Sequence, residues 1–166
     1  LLKRGQHPRY EVTDLGTLGG KVSYAYGISN SGAVSGSAAL ANGDEHPFLW
    51  RDGRMTDLGG LGGANGSGQN PTGSLRIPIT SETSRPDPLG ADFCGWKSFR
   101  ICLAAIWRDG SLAPMPTLGG NNATGFSMNE RGQMVGLAEK SAPDLNCHPT
   151  QKLSYRRVIW GPGSGE

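Results

Sequence analysis

Charge, cysteine and long apolar runs are all scarce in this chain. Its 166 residues carry a net charge of only +2, too little to favour a nucleic-acid backbone or an anionic membrane surface as partner. No apolar run approaches the ~20 residues that cross a bilayer as a helix, so no transmembrane segment is expected. HExxH, Walker, G-x-S-x-G and CxxC patterns are all missing, so the sequence offers no motif for a metal, a nucleotide or an activated nucleophile. No cofactor is expected. The three cysteines allow one internal disulfide and leave one thiol over. Glycine, by contrast, is abundant: its 27 residues are about twice the usual share. That composition suits many tight turns between short elements.

The glycines recur in a pattern. His46 to Gly63 reads HPFLWRDGRMTDLGGLGG, and Leu103 to Gly120 reads LAAIWRDGSLAPMPTLGG at the same length. A third copy begins at Arg156 as RRVIWGPGSGE, and the second half of the motif stands alone as YEVTDLGTLGG from Tyr10. Between copies, YGISNSGAVSG from Tyr26 and FSMNERGQMVG from Phe126 share a glycine turn. Apolar–polar alternation bounded by such turns predicts strands, not helices. The expected strands are 11–15, 24–28, 34–38, 47–50, 55–58, 104–107, 112–115, 125–128, 134–138 and 158–160. Residues 10–160 then form one repeat domain, with units 21–63, 64–120 and 121–160, a first strand within 10–20, and tails 1–9 and 161–166. In the second unit, Gln69 to Ile79 carries two prolines, which remove ladder donors. An irregular edge hairpin is expected there.

Four-stranded units of this size cannot bury their own faces, so copies must stack. The reading is all-β: a β-propeller-like array of about three four-stranded blades, with the strand at Tyr10–Leu15 completing the last blade. A three-fold β-trefoil or β-prism is the alternative. Three blades make no ordinary ring, so self-association or membership of a longer chain is expected.

DLGTLGG at Asp14, HPFLW at His46 and the Trp-Arg-Asp-Gly turn make the chain resemble the bacterial HAF family of extracellular repeats. The resemblance spans roughly Tyr10 to Trp160 and is poorest over 69–101. It implies a secreted or cell-surface location and a repeated β unit. It implies no reaction and no ligand.

Candidate site residues come from two inserts, 84–101 and 142–155, which project from one side of the array. Loops on one face of a scaffold are where binding concentrates. The first insert holds Trp96, which lies outside the repeat and so is free of its core role. With Lys97, Arg100 and His148 it forms the candidate ligand-binding set. Cys94 and Cys102 enclose a short loop and are expected to be disulfide-bonded, leaving Cys147 unpaired or paired outside the chain. Trp50, Trp107 and Trp160 repeat at one structural position and read as core plugs. Gly59 to Gly63 opens no helix and reads as a turn, not a phosphate cradle. Asp14 and Asp57 are expected to bond nearby turn amides, and His46 to make a local hydrogen bond. The function expected is a non-enzymatic module that binds a protein or glycan through the two inserts. The alternative is a glycan-active enzyme using Glu82, Asp87, Asp92, Glu139 or Asp144.

Overall fold

A computed structural model describes residues 9–146 and 150–161. The strands are β1 (Gly19–Ile28), β2 (Val34–Leu40), β3 (Glu45–Arg51), β4 (Arg54–Asp57), β5 (Gly62–Gly68), β6 (Ile77–Pro86), β7 (Arg100–Arg108), β8 (Ser111–Pro114), β9 (Gly119–Met128), β10 (Met134–Pro143) and β11 (Leu153–Trp160). No helix occurs among the described residues, and the fold is all-β. Among the described residues no helix is long and apolar enough to cross a membrane. Strands β1 to β4 run as an antiparallel meander, and β5 to β8 repeat it. One parallel bridge, Glu45 to Asn65, joins the two. Strands β9 to β11 form a separate three-stranded sheet in the same order.

The Gly-Gly pair that closes each motif has a steric cause. Gly19, Gly62 and Gly119 hold φ of +101°, +98° and +98°, a region that side chains resist. The second glycine of each pair has no room for a side chain. A methyl on Gly20 would lie 2.6 Å from the Ala39 Cβ, and methyls on Gly63 and Gly120 would strike the Cβ atoms of Glu82 and Glu139. Ala39, Glu82 and Glu139 are therefore equivalent positions. At each of them the ladder slips, between Gly19 and Ser23, between Gly62 and Gly66, and between the Ala138 and Lys140 pairings. Such a bulge leaves backbone amides without ladder partners, and in the third unit a carboxylate takes them up.

Successive units share their cores. Leu49 and Leu58 of the first unit pack with Ile77, Ile79 and Ala105 of the second. Ala104, Ile106 and Met115 of the second pack with Met134, Ala138 and Trp160 of the third. Trp50 packs against Val34, Ala38 and Phe48, and Trp107 against the cluster of Ile77, Ile79 and Ala105, as core plugs should. The Trp160 indole also donates to the Pro116 carbonyl at 2.9 Å. Asp14 and Asp57 accept from the Gly16 and Gly59 amides at 2.9 and 2.7 Å, and the His46 ring bonds Asp57 at 3.0 Å.

Two expectations fail. Residues 10–15 form no strand and do not complete the last unit: Tyr10 and Val12 stand 87% and 98% exposed. Leu15 instead packs against Val34, Ala38 and Phe48, because the glycine turn that follows leads directly into β1. The proline-bearing hairpin of the second unit is also not an edge. β6 pairs with β5 on one side and β7 on the other. Pro78 lacks an amide but gives its carbonyl to the Gln69 amide at 2.8 Å, so the ladder continues past it.

Candidate binding cleft

The insert between β6 and β7 is built around Asp87. Its Oδ1 accepts from the amides of Leu89 and Ala91 at 2.8 and 3.1 Å, which winds the chain into a turn. Its Oδ2 accepts from the Asn122 side chain at 2.8 Å, which ties the insert to β9 of the next unit. Asp92 caps the following turn, accepting the Lys97 amide at 3.0 Å. Lys97 and Phe99 both hold left-handed φ, +58° and +55°, a conformation that costs energy in residues with a side chain. Three ties hold the loop there. Cys94 and Cys102 are disulfide-bonded with Cα atoms 6.3 Å apart. The Ser98 hydroxyl bonds Glu82, and the Cys102 amide donates to the Asn122 Oδ1 at 2.9 Å.

This loop roofs a cleft of about 290 Å3, near the lower limit for small-molecule sites, and Trp96 lines it together with Phe93 and Phe126. Ser67, Gln69, Thr80 and Thr124 line it as well, with hydroxyl and amide groups only. The Thr80 and Thr124 hydroxyls meet at 2.8 Å, across the seam between the second and third units. The two inserts also touch. The Asp92 amide donates to the Thr150 carbonyl at 2.9 Å, and Phe93 meets Tyr155 edge-on with centroids 6.0 Å apart.

Of the expected site residues that are described, the cleft receives Trp96 alone. Lys97 is exposed on the outside of the turn, and the Arg100 guanidinium is held by the Ser84 carbonyl. Neither lines the cleft. His148 and Cys147 lie outside the described residues. Phe93, Phe126 and the four polar residues were not singled out by sequence reasoning. The aligned spacing of the units could have pointed to Ser67 and Thr124, which fall on one another when Gly63 is laid on Gly120.

The five acids considered for catalysis are all engaged in local structure. Asp87 and Asp92 hold turns, as above, and Asp144 accepts the Asn146 amide at 3.0 Å. Glu82 is buried and bonds the Asn65 side chain at 2.9 Å. Glu139 is fully buried; its Oε2 accepts the Asn121 and Asn122 amides and the Asn122 side chain at 3.0 to 3.1 Å. Its Oε1 accepts from Gln151 at 2.8 Å. Burial pushes its pKa above the ordinary 4.5, although the hydrogen bonds from Asn122, Asn121 and Gln151 pull it down. None of the five lines the Trp96 cleft. The described residues hold no cluster of three or more metal-ligating side chains.

A larger cleft of about 490 Å3 opens between Met115 and Trp160, rimmed by Arg76, Arg108 and Arg131. It is the seam between the second and third units, at the place where Leu58 closes the preceding seam. Arg76 already serves Ser74 and the Glu130 carbonyl, and Arg108 pairs with Asp109. No protein-family model, curated protein or solved structure matches the chain.

Proposed function

We propose that the chain is a non-enzymatic binding module, secreted or displayed at a cell surface, which takes a carbohydrate or a glycosylated protein in the Trp96 cleft. The observation that carries this is the placing of Trp96. It is the one tryptophan outside the repeat, and a disulfide-closed loop brings it into one cleft with three hydroxyls and an amide. An aromatic ring beside neutral hydrogen-bonding groups suits a sugar, which has an apolar ring face and polar edges. The disulfide favours an oxidising compartment, in keeping with an exported protein. The repeated meanders support membership of the HAF repeats and a propeller-like stacking of units, in preference to a trefoil or prism. A glycan-cleaving enzyme has less in its favour, because the acids it would need are spent on turns and bulges.

A glycan array probed with wild type and Trp96→Ala, run beside a glycosidase screen, tests the reading. Wild type should bind a subset of glycans and Trp96→Ala should lose them, with no sugar released. Release of sugar from bound glycan, or equal binding by the variant, would overturn it.

A further inference from the structure

We propose that the first strands of the three units form one continuous track for a linear, uncharged polysaccharide, of which the Trp96 cleft is one end; this rests on the reading of that cleft as a sugar site. The equivalence of the strands follows from their ladders. Tyr24 pairs with Ser37, Ser67 with Thr80 and Thr124 with Leu137. Each partner lies two residues before the equivalent positions Ala39, Glu82 and Glu139. Tyr24, Ser67 and Thr124 thus occupy one place in three units, and Tyr26, Gln69 and Phe126 occupy the next place along the same face. Four of these six residues line the cleft. The other two, Tyr24 and Tyr26, carry the same face onward into the first unit.

Close approaches join the units at both seams. Gly27, next to Tyr26, approaches Asn70, next to Gln69, so closely that a Cβ on Gly27 would lie 2.5 Å from the Asn70 Cα. The Ser35 hydroxyl bonds the Gln69 carbonyl across the same seam. At the next seam Thr80 meets Thr124, and its Oγ1 accepts the Gly125 amide at 3.1 Å.

The chemistry along this path alternates. At one end Tyr24 and Tyr26 are stacked parallel, centroids 6.4 Å apart and planes 5° from each other, and each is about half exposed, at 49% and 51%. In the middle stand Ser67, Gln69 and Thr124. At the other end are Phe126, also 50% exposed, and Trp96. Rings at both ends offer platforms for sugar faces, and the middle offers donors and acceptors for hydroxyls. The residues named on the path carry no formal charge, so a neutral chain meets no unpaired ion there, whereas an acidic one would be desolvated without a counter-charge.

The test is binding to length ladders of neutral glucan, mannan and N-acetylglucosamine oligosaccharides, from disaccharide to octasaccharide, by surface plasmon resonance. The proteins compared are wild type, Trp96→Ala, Tyr24→Ala/Tyr26→Ala and Tyr24→Phe/Tyr26→Phe. Affinity in at least one ladder should climb with length. The double alanine variant should bind the shortest sugars as wild type does and lose about tenfold on the longest. The double phenylalanine variant keeps the rings and should restore that binding. Trp96→Ala should weaken every length. Affinity that does not depend on length, or full binding of the longest sugars by the double alanine variant, overturns the track and spares the cleft. Absence of binding to all three ladders overturns both, and tighter binding of a fourth, uronic-acid oligosaccharide ladder run beside them overturns the neutral class.

Discussion

Replacing Glu139 by alanine should be among the most damaging single changes in this chain. The carboxylate is fully buried at the bulge between β9 and β10 and accepts four hydrogen bonds. Two of its donors keep other partners after the change. The Asn122 side chain still donates to Asp87, and Gln151 still donates to the Leu153 carbonyl. The backbone amides of Asn121 and Asn122 are left without the acceptor they use. A buried donor left unpaired costs about 1–3 kcal/mol, so the two together cost about 4 kcal/mol. That is a large part of the 5–15 kcal/mol typical of a domain, and corresponds to a fall in Tm of roughly 8–16 °C. Urea unfolding followed by tryptophan fluorescence measures it, provided the m-value is unchanged. Arg108→Ala removes only an exposed pair with Asp109 and should stay within about 0.5 kcal/mol of wild type. A Glu139→Ala cost below about 1 kcal/mol would refute the assignment of this carboxylate as the bulge acceptor.

The same residue predicts a pH dependence. Its pKa is raised on folding by burial, so the folded chain binds more protons than the unfolded one above pH 4.5. The stability this gives is fully present below 4.5 and is lost as pH rises through the folded value. Glu139→Gln should remove that part of the slope, and an unchanged slope would show that another group is responsible. Reducing Cys94–Cys102 should cost about 2–3 kcal/mol through the released loop and weaken glycan binding, since the loop carries Trp96. Unaltered melting and binding after reduction, with both thiols shown free by alkylation, would contradict this. Gly120→Ala should cost more than Gly53→Ala, because its methyl meets Glu139 and sits 2.7 Å from the Lys140 carbonyl oxygen. Gly53 has open space and suffers only the left-handed φ, about 1–2 kcal/mol; thermal melts that rank the two the other way would count against the steric account.

The all-β class and most of the strands were legible because glycine turns and alternation recur at matched places in the chain. The Cys94–Cys102 bond was legible from spacing. β5 and β6 were not, because their segment carries Pro78 and little alternation, and pairing on both sides overrides local preference there. The segment 10–15 misled for the opposite reason. It has good strand character, but Leu15 is drawn into packing on Val34 and Phe48 just before the turn into β1. The cleft was half legible. Trp96 stood out by lying outside the repeat, while Phe93, Phe126 and the hydroxyl row gather only when two units meet. Lys97 and Arg100 looked available in the sequence. A left-handed turn and the Ser84 carbonyl direct them elsewhere.

The most direct test of the binding site uses the four tryptophans as internal reporters. Each indole N–H gives its own cross-peak in a proton–nitrogen NMR spectrum, assignable by single Trp→Phe changes. Titration with the neutral oligosaccharide that binds most tightly should move the Trp96 peak and leave those of Trp50, Trp107 and Trp160 in place. A titration that shifts Trp160 or Trp107 while Trp96 stays still would contradict the account, and so would saturable binding that moves none of the four.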